Sequence, residues 1–260
     1  MNKNIHQTAI ISPKAVISDN VIIGPYCVIG DNVKINSNNK LISHVCIDGN
    51  TVIGENNVFF PFSSIGLIPQ DLKYKGENSK LFIGDNNIFR ENVTVNIGTE
   101  GGGMKTEIGN NCLFMVGSHV AHDCIISNNV ILANNATLAG HVSIQDNAII
   151  GGLSAIHQFV RIGKFSMIGG MSGVEQDIIP YGLYIGIRSN LRGLNLIGLK
   201  RKGLNSKDIN LIKNSVVKIF NKNNSIEKNL KKLNFDNKVE IKEIINFILK
   251  KSNRGICTFQ

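Results

Sequence analysis

The chain has 260 residues, 42% of them hydrophobic and 6% aromatic, with no tryptophan and a formal net charge of +9. That length suits one elongated domain plus a smaller one. The start, Met1 to His6, lacks the apolar core of a signal peptide and no later run reaches transmembrane length, so a cytoplasmic protein is the expectation. Cysteines number five, and Cys27, Cys112 and Cys124 fall at small positions of a repeat, which predicts reduced core residues rather than disulfides.

Aliphatic or aromatic residues recur at every sixth position: Ile11, Ile17, Ile23, Ile29, Ile35, Leu41, Ile47, Ile53, Phe59 and Ile65. A break over about 66–82 follows, then Ile83, Phe89 and Val95, then a second break over about 96–107. From Ile108 the phase runs through Phe114, Val120, Ile126, Leu132, Leu138, Ile144, Ile150, Ile156, Ile162 and Ile168 to Val174. A helix needs spacings of three and four and a half-exposed strand needs two. Six is the period of a parallel β-helix with three flat faces per coil, here read as left-handed, over residues 1–187. Small residues two places before the aliphatic one, such as Ala9, Ala15, Ala136 and Ala148, suit the tight interior near each corner.

Past Pro180–Asn190 the period turns helical, which predicts an α-helical C-terminal domain over 188–260. Ser206 is the expected cap of a helix bearing Ile209, Ile212, Val216, Ile219 and Phe220. A second segment starts at Ser225 with Ile226, Leu230 and Leu233, and a third spans roughly 238–251. A solenoid exposes its last coil, so a cap is needed there. The charge is concentrated in this part: 17 Lys and Arg face 5 Asp and Glu from Arg188 onward, against 11 and 14 before it. Such asymmetry points to an acidic partner or to a solvated lysine-rich surface. Nucleic acid fits poorly, since no aromatics interleave with the basic residues and no zinc spacing is present.

With three faces per coil, residues 18 apart stack at about 4.8 Å. His122, Gly140, Gln158 and Gln176 then form one column along an edge, Asp123, His141 and Phe159 form the next, and His157 lies beside Gln158. The glycine-rich break leaves at that same corner. The earlier break does so if twelve residues are extra, which hangs Gln70, Asp71 and Lys73 over the histidines of this or a neighbouring chain. An exposed histidine beside a carboxylate suits general base work, and a glycine one coil away lets a backbone N–H approach a developing oxyanion. No serine or cysteine is paired as a nucleophile, which favours direct transfer to an acceptor. His6 and His44 stand alone and read as surface residues.

The runs His119-Val120-Ala121-His122-Asp123-Cys124 and Asn134 to Val142 resemble the UDP-N-acetylglucosamine acyltransferases of bacterial lipid A biosynthesis. So do Gln70-Asp71-Leu72-Lys73-Tyr74, Ile156-His157-Gln158-Phe159 and Gly198-Leu199-Lys200-Arg201, so that the resemblance spans the chain. It implies a cytoplasmic homotrimer with sites between subunits, moving an (R)-3-hydroxyacyl group from acyl carrier protein to the 3-hydroxyl of UDP-GlcNAc. It implies no resident cofactor or metal, because the phosphopantetheine arrives on the carrier. On the matching positions His122 is the general base, Asp123 orients it and Gly140 supports the oxyanion. Gln70, Asp71, Lys73, His119, His141, His157 and Gln158 line the cleft, and Asn195 and Arg201 hold the nucleotide. Gly170 marks the end of the acyl groove, which implies a long chain. The basic cap would meet the acidic carrier. Two positions depart from the family pattern: Ile197 stands where glutamate is usual and Lys202 where arginine is frequent. Rival readings on the same fold are a coenzyme A-dependent sugar acyltransferase, a zinc carbonic anhydrase, which needs three histidine ligands, and a non-catalytic binding solenoid.

Overall fold

The computed structural model describes residues 4–232 and 238–260. Short parallel strands wind into a triangular prism whose faces are sheets of eleven, nine and eight strands. Partners lie 18 residues apart, as in Ile22↔Lys40 on the eleven-stranded face and Thr137↔Ala155 on the nine-stranded face. The hexad residues point inward: Ile23, Leu41, Phe59, Phe89, Phe114, Leu132, Ile150 and Ile168 are all fully buried. Phe59, Phe89 and Phe114 stack with centroids 4.8 and 4.7 Å apart. Each coil thus repeats the previous one, and burying one aliphatic side chain per hexad stabilises the prism by about 1.5–3 kcal/mol per residue before entropy is counted. All five cysteines are free; Cys27, Cys112, Cys124 and Cys257 are buried.

Both breaks leave the prism at one corner, between the nine- and eight-stranded faces. Register jumps from 18 to 30 at Ser64↔Thr94 and to 25 at Thr94↔His119, while the chain re-enters the eight-stranded face at Lys80–Ile83 and Lys105–Ile108. The earlier break therefore carries twelve extra residues, as the shared corner requires, and the later one seven.

The eleven-stranded face does not stop at Met167–Ile168. Gly182–Ile185 continues it, and Asn190–Leu194 folds back antiparallel upon it, so this sheet runs past the 187/188 division read from the sequence. Four helices follow: α1 (Leu196–Arg201), α2 (Ser206–Ile219), α3 (Ile226–Lys232) and α4 (Val239–Leu249). Residue Ser206 does not cap α2; Asn205 does, its side chain accepting from the Asp208 N–H at 2.9 Å. An Asn one residue earlier offers the same acceptor with extended backbone already in place. Leu233 lies outside the described residues.

The cap is fastened to the last coils by polar contacts at the prism's end. Glu243 of α4 takes Lys164 and the buried Tyr181 hydroxyl, Lys202 reaches Glu240 at 2.5 Å, and Arg161 bonds Asp177 at 2.7 Å beneath Phe247. No helix among the described residues is long and apolar enough to cross a membrane.

Candidate active site

At the corner that both loops leave, the strand His119–Val120 runs into His122 and Asp123. The coils stack as the 18-residue ruler requires: the His141 N–H donates to the His122 carbonyl at 3.0 Å, and the Phe159 N–H to Gly140 at 3.2 Å. His122 and His141 meet edge to face at 5.0 Å, and His141 stacks on Phe159 at 4.4 Å. Asp123, His141 and Phe159 all sit in the left-handed region, at φ of 59°, 63° and 66°. The same conformation recurs at corners along the whole prism, from Asn20 to Tyr181, so it belongs to the repeat and does not set this site apart.

The Asp123 carboxylate has no exposure and three donors. Thr99, from the seven-residue insertion, gives its N–H at 2.9 Å and its hydroxyl at 2.5 Å, and His122 Nδ1 approaches at 2.8 Å. A carboxylate only accepts, so in the neutral imidazole Nδ1 is the nitrogen that carries the proton and Nε2 the one that keeps its lone pair. Nε2 faces the loop residue Asp71, whose nearer oxygen is 4.0 Å away. A Cβ on Gly140 would lie 2.4 Å from the His122 ring, and one on Gly102 would lie 1.9 Å from the Asp123 carboxyl carbon. Both glycines are therefore required by close approach. Among the described residues nothing accepts from the Gly140 N–H.

His122 is 6% exposed, where the sequence reading expects an exposed side chain. The two insertions fold over their own corner and cover it. His119 bonds Thr94 Oγ1 at 2.6 Å; burial, and then the neighbouring His122, hold its pKa below the ordinary 6.5. Burial lowers that of His141 as well, with Asp123 opposing the shift. His157 and Gln158 are exposed one coil beyond Gly140. In the long loop Asp71 accepts from the Lys73 N–H at 2.9 Å, which curls the loop so that Asp71 turns inward while Gln70 and Lys73 stay exposed. Spacing does not reveal Thr99, because it reaches Asp123 from inside an insertion; the run Gly101-Gly102-Gly103 is the sequence signal nearby.

His122, Asp123 and His141 each offer a ligand atom within 4.8 Å of the others. Asp123 already accepts from three donors, two of Thr99 and the His122 ring N–H, so this trio fits a proton-transfer pair better than a metal centre.

The remaining predicted residues lie elsewhere. Asn195 and Arg201 border a cavity of about 610 Å³ between α1 and the eleven-stranded face, floored by Ile131, Ile149, Phe165 and Met167. Asn195 caps α1: its amide accepts from the Gly198 N–H at 3.0 Å and donates to the Phe165 carbonyl at 2.9 Å. Arg201 is exposed in the last turn and has no carboxylate partner among the described residues. Ile197 puts an apolar side chain on the cavity wall, and Lys202 turns toward Glu240. Gly170 is exposed at the corner between the eleven- and nine-stranded faces, where a Cβ would sit 3.2 Å from the Gly152 carbonyl. The eleven-stranded face is opposite the His122 corner of a triangular prism. One chain therefore does not bring Arg201 and His122 into one site.

A β-helix of hexads carrying a histidine–aspartate pair under edge loops is the architecture of the hexapeptide-repeat acyltransferases. Profiles described as bacterial transferase hexapeptide (six repeats) and as UDP N-acetylglucosamine O-acyltransferase, domain 2, match residues 105–140 and 177–257. The acyl-[acyl-carrier-protein]--UDP-N-acetylglucosamine O-acyltransferase of Aliarcobacter butzleri is 50% identical over 97% of both chains. That of Rickettsia felis is 49% identical over 100% of this chain and 99% of its own. A crystal structure of a UDP-N-acetylglucosamine acyltransferase superposes with a TM-score of 0.91 at 47% identity, covering 98% of this chain and 99% of the other. The enzyme of that name from Campylobacter jejuni gives 0.92 at 37%, covering 98% and 100%. The chain belongs to the UDP-N-acetylglucosamine O-acyltransferase family, and its prism is the left-handed parallel β-helix expected from the hexads.

Proposed function

We propose that this protein transfers an (R)-3-hydroxyacyl group from acyl carrier protein to the 3-hydroxyl of UDP-GlcNAc, the first step of lipid A biosynthesis, in the cytoplasm. The observation that carries the chemistry is the His122–Asp123 pair, pinned by Thr99 and set against the free Gly140 N–H. His122 Nε2 takes the proton of the sugar hydroxyl as its oxygen attacks the thioester carbonyl. The Asp123 carboxylate holds the resulting imidazolium in place, as a general base of this kind contributes about 10² to 10⁴-fold. The carbonyl oxygen gains its negative charge toward the Gly140 N–H, which is already oriented and needs no reorganisation. Collapse breaks the C–S bond, and the imidazolium returns the proton to the departing thiolate of the carrier's pantetheine arm. No covalent enzyme intermediate and no resident cofactor enters these steps.

A homotrimer completes the site. Arg201, with no carboxylate partner among the described residues and beside an apolar cavity, suits a phosphate of the nucleotide, yet lies on the face opposite His122. A second copy whose eleven-stranded face meets this edge joins the two. Gly170 leaves its corner open for an acyl chain of roughly twelve to sixteen carbons, each buried methylene adding about 0.8 kcal/mol. The basic C-terminal part suits the acidic carrier.

The test is a transfer assay with purified protein, UDP-GlcNAc, a series of 3-hydroxyacyl carrier proteins of increasing length, and the matching coenzyme A thioesters. Expected is O-acylated UDP-GlcNAc from the long carrier-bound donors, with a KM for the carrier that rises with salt. Turnover with coenzyme A thioesters alone would reassign the donor, and no turnover with any of them would reject the reaction.

A further inference from the structure

The segment after α4 turns back across the end of the catalytic edge. Ile256 forms a parallel bridge with Asp177, the Cys257 N–H donates to the Asp177 carbonyl at 2.9 Å, and the Leu191 N–H donates to the Thr258 carbonyl at 3.0 Å. Gly255 makes the turn at φ +68°, close against the Gln176 amide. Just before it, the Arg254 N–H donates to Ser252 Oγ at 3.1 Å, and Arg254 Nε donates to the backbone carbonyl of Gln158 at 2.7 Å. Gln158 stands in the column of His122 and Gly140, two coils on. At about 4.8 Å per coil, roughly 10 Å separates its backbone from that of His122.

Three other arginines are paired: Arg90 with Glu91, Arg161 with Asp177 and Arg188 with Glu175. Both carboxylates around the bridge that Ile256 makes are thus taken. Among the described residues, the two terminal nitrogens of Arg254 have no partner. Its side chain is partly exposed, level with the exposed His157 and Gln158. A guanidinium fixed through Nε and open at both Nη atoms presents two parallel donors, the arrangement that matches two oxygens of one phosphate.

We propose that Arg254 is a phosphate-binding residue of the catalytic edge, taking an oxyanion of the substrate that lies along Gln158 toward His122. The inference rests on the acyl transfer proposed above, whose substrates carry phosphate twice. One is the diphosphate of the nucleotide sugar, a single pyranose ring from the reacting hydroxyl. The other is the phosphodiester at the far end of the carrier's pantetheine arm. Two coils match a hydrogen bond plus one sugar ring, which favours the diphosphate.

Arg254→Gln removes charge and fork together, whereas Arg254→Lys keeps the charge but not the paired donors. Both variants and the wild type are compared by calorimetric binding of UDP-GlcNAc and by initial rates with each substrate varied in turn, with thermal melting as the check on folding. The expected result is UDP-GlcNAc binding weaker by about 10- to 100-fold, a matching rise in its KM, little recovery with lysine and a smaller change in kcat. A rise confined to the carrier's KM, lost with an acyl-pantetheine donor that lacks the phosphate, assigns the same fork to the arm. Unchanged binding and unchanged KM for both substrates overturns the inference, leaving Arg254 as a tether of the C-terminal segment. If the wild type binds UDP-GlcNAc yet transfers no acyl group, the acyl-transfer reading fails, and calorimetry still decides the role of Arg254.

Discussion

The His122 edge and the Arg201 cavity occupy opposite sides of one prism and are made in different ways. The edge is a product of repetition: stacking at 18-residue intervals sets Gly140 over His122 and His141 over Asp123. The cavity is a product of docking, where α1 lies on the aliphatic outer row of Ile131, Ile149 and Met167 and is held by Lys202 and Glu240. On the proposed reading, chemistry sits on the repeated part and nucleotide recognition on the part added to it. Preorganised donors need fixed geometry, whereas a phosphate contact tolerates a side chain on a helix end.

The sharpest way to separate the two regions is His122→Ala. Transfer should fall by about 10² to 10⁴-fold while UDP-GlcNAc binding at the cavity is kept; near-wild-type turnover by a folded variant would remove the edge from the chemistry. Arg201→Ala should do the reverse, raising the KM for UDP-GlcNAc by about 10- to 100-fold with a smaller change in kcat. An unchanged KM would leave the cavity without a nucleotide role.

The two regions also differ in how far the sequence discloses them. The hexad count places His122, Gly140 and Gln158 in one column and the glycine-rich insertion at their corner, because a β-helix converts spacing directly into position; the earlier break it places there only if twelve residues are extra, which the Ser64↔Thr94 register decides. Thr99 escapes it, since nothing in the spacing says where a residue inside an insertion points. So does the burial of His122, which depends on how those insertions fold back. In the cap the helical period finds α2, α3 and α4, but the hairpin to Leu194 and the contacts of Tyr181 and Glu243 are tertiary and leave no periodic trace. Asn195 matches the family motif, yet its amide is engaged at the start of α1, which no motif shows.

A smaller effect is expected with pH. All six histidines precede residue 188, so titration between pH 7.5 and 5.5 reports on the prism and not on the cap. Burial holds His119 and His141 below the ordinary 6.5. The unfolded chain therefore takes up protons first as pH falls, and their contribution, complete above about 6.5, is lost through the lowered folded values. The melting temperature should decline over this window, and His119→Asn should flatten the decline. A rise in stability on acidification would contradict the burial argument.

That both regions serve a single reaction is tested most directly by mixing subunits. His122→Ala and Arg201→Ala chains, each nearly inactive at low UDP-GlcNAc, are unfolded together, refolded and assayed as mixed trimers. If the edge of one copy meets the cavity of another, some sites regain an intact His122 and an intact Arg201, and activity rises above that of either parent. Mixed trimers that form but stay at the level of the parents would contradict the shared site.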